Sequence, residues 1–365
     1  MKVSGFTSGK NNNFNLIRMA AALAVLFGHS FALLLLPEPL GQSLGMSIGS
    51  ISVDIFFITS GFLVTGSLLA KQSIADYVLA RVLRIYPALA VVLLLSVLVL
   101  GPSFTTLSVD AYFHHTQTYS YFLRCIAMNR EIAYYLPGVF DANPYKGAVN
   151  GSLWTMVYEI RMYLLLAAAW CACSLFRTRR ILLFKLLIAV GALWSGVLVL
   201  LQHASAQDAD PFPRLFFMFA CGAVFWVLKD YIRLSATWMA AVSAALLISA
   251  LTHHQIFFVV YLFSIAYALF YLAYIPGGKI RRFNDAGDYS YGVYIYAFPV
   301  QQMIIALLPQ VSPATLTMIA APMTLGLAAL SWHVVEQPAL KLKGMLARRN
   351  AVAAAATSPL GSQQP

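Results

Sequence analysis

Ten apolar stretches, each near the length needed to cross a bilayer, recur at 15–36, 48–70, 85–101, 152–176, 181–202, 212–228, 235–252, 254–274, 289–308 and 313–335. About 20 apolar residues in a helix span a hydrocarbon core about 30 Å thick, and lipid leaves no solvent partner for a free backbone amide. The pattern predicts an all-α membrane protein with ten transmembrane helices. Composition excludes the soluble alternative, because 60% of residues are hydrophobic and 10% charged, against about 25% charged in an ordinary soluble domain. A net charge of +11 would suggest nucleic acid if a soluble fold stood behind it. Here topology accounts for the sign, and no nucleic-acid partner is expected. Four cysteines, two of them (Cys171 and Cys173) inside an apolar run, form neither a disulfide framework nor a zinc pattern. No metal is expected.

The connectors alternate in charge. Lys2 and Lys10 precede the first span; Lys71, Arg81 and Arg84, then Arg177, Arg179 and Arg180, then Lys229 and Arg233, then Lys279, Arg281 and Arg282 occupy every second connector; Lys341, Lys343, Arg348 and Arg349 follow the last. By the positive-inside rule both termini are cytoplasmic. The first stretch exceeds a signal-peptide core, carries Arg18 and His29, lacks a cleavage site, and is expected to stay attached. Three parts follow: a cytoplasmic segment over 1–14, a ten-helix membrane domain over 15–342, and a disordered cytoplasmic tail over 343–365, rich in Ala, Ser, Pro and Gln. The one long external loop, about 102–151, carries Tyr112, Tyr119, Tyr121, Tyr134, Tyr135, His114 and His115. A membrane-surface cap fits these aromatics better than a sugar-stacking platform. Asn150-Gly151-Ser152 has the form of a glycosylation sequon but abuts a span.

Ionisable residues in a span are costly and mark function by default. Arg18, His29, Asp54, Glu159 and Arg161 lie clearly within spans. Arg18 and His29 are eleven residues apart, three turns plus about 20°, so they share a face at a separation of roughly 16 Å. Counting from the span ends puts His29 about 9 Å and Glu159 roughly 10 Å below the outer boundary, with Asp54 shallower. Two carboxylates level with an imidazole favour a catalytic His29 over a packing one. Arg81 and Arg84, at i and i+3 in LARVLRIYP, read equally as topology anchors or, with Arg18, as a guanidinium cluster for polyphosphate. Glu336, in VVEQP before Pro338, reads as structural.

These residues fall within motifs that resemble the acyltransferase-3 family of bacterial membrane O-acyltransferases. In family order they are NLIRMAAALAVLFGHS with its Arg-x10-His spacing, SVDIFFITSGFLV, ARVLRIYPAL, GSLWTMVYEIRMYLL, GDYSYGVYIYAFPV and VVEQPAL, covering about 11–342. The resemblance implies transfer of an acyl group, usually acetyl from cytosolic acetyl-CoA, to a hydroxyl of an envelope or exported glycan. It implies a catalytic His29 and a donor site of Arg18, Arg81 and Arg84. Acyl-CoA is then a substrate, with no permanently bound cofactor. The acceptor is a glycan or lipid-linked saccharide, and the location is the bacterial cytoplasmic (inner) membrane. Two departures are visible: Ala297 stands where many relatives carry His, which concentrates acid–base chemistry on His29, and no hydrolase-like C-terminal domain follows.

Such chemistry needs a base for the attacking hydroxyl, and imidazole titrates near working pH. A carboxylate, Glu159 by depth or otherwise Asp54, would fix its tautomer. The pantetheine arm of CoA, roughly 15 Å long, matches the Arg18–His29 offset. A competing reading is a proton-coupled secondary transporter of a glycan or metabolite, since the same residue types build proton relays.

Overall fold

Helices occupy all ten apolar stretches in a computed structural model, which describes residues 1–342 and 344 apart from 8, 10, 130, 131 and 206–209. Lys10 and, Gly344 aside, the segment 343–365 expected as a tail lie outside the described residues. The helices are α1 (Phe14–Ala32), α2 (Ile48–Lys71), α3 (Ile74–Leu95), α4 (Trp154–Ser174), α5 (Arg180–Ser205), α6 (Pro211–Val227), α7 (Ala236–Thr252), α8 (His254–Tyr274), α9 (Ser290–Leu307) and α10 (Pro313–Ser331). Among the described residues seven are long and apolar enough to cross a membrane: α1, α2, α3 extended to Phe104, α4, α5, α8 and α10 extended to Leu342. Helices α6 and α7 have 17 residues each and α9 has 18. No strand occurs among the described residues. The protein is an all-helical, multi-pass membrane protein.

Two boundaries differ from the sequence reading. Helix α3 begins at Ile74 rather than 85, because Ser73 caps it by accepting from Asp76 N at 3.2 Å. Arg81 and Arg84 therefore stand two to three turns inside a continuous helix rather than in a connector. At its other end α3 widens into a π-turn over Ser96–Leu100, which frees a carbonyl. Tyr112 O–H donates to Val97 O at 3.0 Å, and its hydroxyl lies 2.0 Å from where a Cβ on Gly101 would sit.

The second difference concerns the 102–151 connector. It contains helices at Val109–His114 and Thr116–Ala127, and while Tyr119 and Tyr135 are exposed, Tyr112 and Tyr121 are fully buried. Its last part descends into the bundle. Pro299 in α9 has no N–H to offer the carbonyl one turn earlier, that of Ile295, and Asn150 Nδ2 donates to that oxygen at 2.9 Å. Asn143 Nδ2 likewise donates to Gln302 O and Oε1 at 2.9 and 2.8 Å. Asn150 is 1% exposed, so the sequon-like triplet is packing, and α4 starts well inside the bundle.

Helix α9 is buried along nearly its whole length and forms the axis of the fold, flanked by α1 and α10. Beside it α2 and α6 cross with their backbones touching. A Cβ on Gly61 would fall 1.9 Å from Phe219 O, and one on Gly222 would fall 2.0 Å from Ile58 O. Small residues permit such close approach where lipid supplies no hydrophobic force between helices.

Candidate active site

Two cavities lie end to end in the bundle. The first, about 320 Å³, lies toward the end where α1 begins and α10 finishes. Arg18 enters it from the second turn of α1, Arg81 and Arg84 from α3, Glu159 from α4, and Asp288 from the residues just before α9. Asp288 organises the guanidinium groups. Its Oδ2 lies 2.6 Å from Arg84 Nη2 and 3.7 Å from Arg18 Nε, while its Oδ1 accepts from Ser290 Oγ. Burial alone would raise this carboxyl, but the two arginines and the Ser290 hydrogen bonds overcome it and hold the group at about 2. Arg84 Nη1 also reaches Glu336 Oε2 at 3.2 Å, and Glu336 Oε1 accepts from Ser331 Oγ at 3.1 Å. Arg81 differs from its neighbours: among the described residues it makes no ion pair, its Nε is buried without a partner, and its guanidinium lies 5.6 Å over the Tyr163 ring.

The second cavity, about 280 Å³, lies toward the end that carries the 102–151 connector. Its wall includes His29, Glu38, Asp54, Trp154 and Arg214. His29 packs edge-on to Phe298 at 5.3 Å, and its Nδ1 is buried with no hydrogen-bond partner among the described residues. Asp54 is fully buried and tied to Arg214, with 2.5 Å between Oδ2 and Nη2; Tyr261 O–H donates to the same oxygen at 2.9 Å. Glu38 accepts the Ile48 amide at the start of α2 through both oxygens, at 3.0 and 2.9 Å, an arrangement that also suits the positive end of that helix.

Among the described residues, only Val53 and Tyr294 line both cavities. Tyr294 is pinned in that wall: its hydroxyl donates to Ser152 O at 3.0 Å and shares a 2.5 Å hydrogen bond with Thr155 Oγ1, and its ring meets Phe56 at 5.6 Å. The geometry thus sets a guanidinium-lined chamber against an imidazole-bearing one across a single side-chain layer.

The structure gathers Arg18, Arg81 and Arg84 in one chamber and His29 with Asp54 in the other. Glu159 is corrected. Depth counting set it level with His29, yet it lines the arginine chamber, where it accepts from Tyr163 O–H and from Ser60 Oγ at 3.0 Å. Ser60 lies six residues past Asp54 on α2, roughly 9 Å farther from the connector end. The count failed because α4 starts inside the bundle rather than at its surface. Arg161 lines neither cavity; its guanidinium lies 5.2 Å over the Tyr158 ring.

Four residues escaped the sequence reading. Asp288 sits inside GDYSYGVYIYAFPV, where its acidic side chain is the signal that would have marked it as a partner for the arginines. Arg214 lies three residues beyond the start of α6, close enough to the span end to pass as an anchor. Trp154 and Tyr294 carry no charge, so an inventory of ionisable groups passes over them.

Residues 11–333 match the model of a family described as an acyltransferase domain. The chain is 31% identical over 381 residues to nodulation protein 10 of Rhizobium leguminosarum bv. viciae, a match covering 95% of this chain and 98% of that one. It is 28% identical over 344 residues to an O-acetyl transferase of Shigella phage Sf6, covering 90% and 96% respectively. No solved structure matches the chain.

Proposed function

Because this chain belongs to the family defined by that acyltransferase domain, we propose that it moves acetyl from cytosolic acetyl-CoA to a hydroxyl of an envelope or exported glycan, free or lipid-linked. In this reading the membrane domain spans 15–342 with ten crossings in the bacterial cytoplasmic membrane. The flanking segments 1–14 and 343–365 are cytoplasmic, and the 102–151 connector faces outward. The similarity to the O-acetyl transferase of the phage supports the acetyl group.

The observation that carries the proposal is the pair of cavities meeting at Val53 and Tyr294. Arg18, Arg81 and Arg84 offer planar donor forks to the phosphates of CoA, and the extended pantetheine arm brings the thioester toward the shared wall. From the other cavity the acceptor hydroxyl attacks the carbonyl carbon while His29 takes its proton. The tetrahedral intermediate collapses with cleavage of the carbon–sulfur bond, and the proton held on His29 passes to the departing thiolate. The products are the acetyl ester and CoA. His29 lines that cavity with its ring edge-on to Phe298. Asp54 lines the same cavity and is the carboxylate assigned to His29, while Glu159 braces the donor chamber.

Inside-out vesicles containing the protein and an envelope saccharide fraction, given radiolabelled acetyl-CoA, test this. Label is expected in the saccharide, and is expected to vanish with His29→Ala. Unlabelled saccharide that instead crosses the vesicle membrane in response to a pH gradient would establish the transporter reading.

A further inference from the structure

The connector-end cavity contains more than a base. Trp154, on the first turn of α4, lines it with His29, and its aromatic neighbour Tyr158 meets it in a T-shaped contact at 78° rather than a stack. No aromatic ring among the described residues covers it face to face. Glu38, Asp54 and Arg214 supply hydrogen-bonding groups around the same space. A broad apolar ring beside acceptors and donors matches the two-sided character of a pyranose, which has an apolar C–H face and a polar rim. About 280 Å³ falls at the lower end of ligand pockets, which run from about 300 to 1,000 Å³, and suits a single ring.

The charges narrow the choice further. Among the described residues the lining has two carboxylates, Glu38 and Asp54, and one guanidinium, Arg214, whose charge is already matched by Asp54 at 2.5 Å. A sugar bearing a carboxylate, sulfate or phosphate would meet, among the described residues, no unmatched guanidinium and a second carboxylate nearby, a like-charge encounter that disfavours it.

We propose that this cavity is the acceptor subsite, that Trp154 is its stacking platform, and that it takes an uncharged pyranose residue in preference to an acidic one. The inference rests on the acyl-transfer reading above and adds the class of sugar and the residue that holds it.

The test uses full-length protein in vesicles with unfractionated envelope saccharide and labelled acetyl-CoA, followed by hydrolysis and mass spectrometry of the labelled sugar. Acetyl on a neutral sugar is expected; acetyl on a uronic, sialic or phosphorylated residue overturns the assignment of class. In parallel, Trp154→Ala is expected to raise the apparent KM for the saccharide at least fivefold with the KM for acetyl-CoA unchanged, and Trp154→Phe to recover most of that loss. An unchanged saccharide KM in Trp154→Ala, or equal rises in both constants, removes Trp154 from the subsite. Wild-type vesicles that label no saccharide sink the acyl-transfer reading itself, an outcome distinct from either of these.

Discussion

Arg84 Nη2 and Asp288 Oδ2 lie 2.6 Å apart between α3 and the start of α9, and Arg18 shares the same oxygen from α1. One carboxylate thus fixes two of the three guanidinium groups of the arginine-lined chamber. Breaking such a partly buried arrangement leaves both cations without their common partner, and losses of this kind are far larger than those of exposed pairs. Asp288→Asn is expected to raise the KM for acetyl-CoA about tenfold or more and to lower the thermal midpoint in detergent, read by steady-state kinetics and by fluorescence melting. Unchanged donor KM in a variant of normal stability would release Asp288 from the donor site.

The same carboxylate makes a pH prediction. Its folded value of about 2 lies below the ordinary aspartate value of about 3.9, so its contribution to stability is complete above about 4. That contribution is lost only as pH falls toward 2. Asp288 is therefore expected to impose no pH dependence on the donor KM between pH 5 and 9. A donor-binding transition in that interval that disappears in Asp288→Asn would contradict the ion-pair geometry.

His29→Ala is expected to reduce acetyl transfer by about 10² to 10⁴, the usual worth of a general base, while the variant inserts and binds acetyl-CoA as the wild type does. Near-normal turnover would leave His29 as a packing residue against Phe298.

The carboxylates separate by cavity. Glu159→Gln is expected to act on donor KM, because its neighbours are Ser60, Tyr163 and the arginine chamber. Asp54→Asn is expected to act on turnover and saccharide KM, because it releases Arg214. Kinetics on both substrates that showed the reverse assignment would reinstate Glu159 as the partner of His29.

Tyr294→Ala is expected to join the two cavities and raise acetyl-CoA hydrolysis in the absence of saccharide several-fold, while Tyr294→Phe, which keeps the ring in the wall, stays near the wild type. Equal hydrolysis by all three proteins would mean that the wall lies elsewhere.

The positions of the ten helices could be read from apolar run length because lipid admits few other backbone solutions. The Arg18–His29 relation was legible for a similar reason: both residues belong to one helix, whose rise and twist are fixed. What sequence counting missed depends on how helices meet. The level of Glu159 is set by Asn150 and Asn143 pulling the connector down to α9, and the partner of Asp54 is set by α6 lying against α2. Neither contact leaves a periodic trace in the chain. Asp288 lay in plain view within a quoted motif, but only the convergence of α1, α3 and α9 gives its charge a purpose.

The glycine crossing of α2 and α6 has a consequence for anyone exchanging parts between this protein and its relatives. Both helices start at the connector end; Asp54 lies seven residues before Gly61, and Arg214 eight before Gly222, so each is roughly 11 Å from the crossing on the same side. The two bare backbones act as a common ruler, and a methyl group on either would spread the helices and draw Arg214 away from Asp54 without touching them. A chimera that imports one of these helices with a larger residue at the crossing inherits a mis-set acceptor cavity. A transplant is expected to keep its specificity only when α2 and α6 travel together.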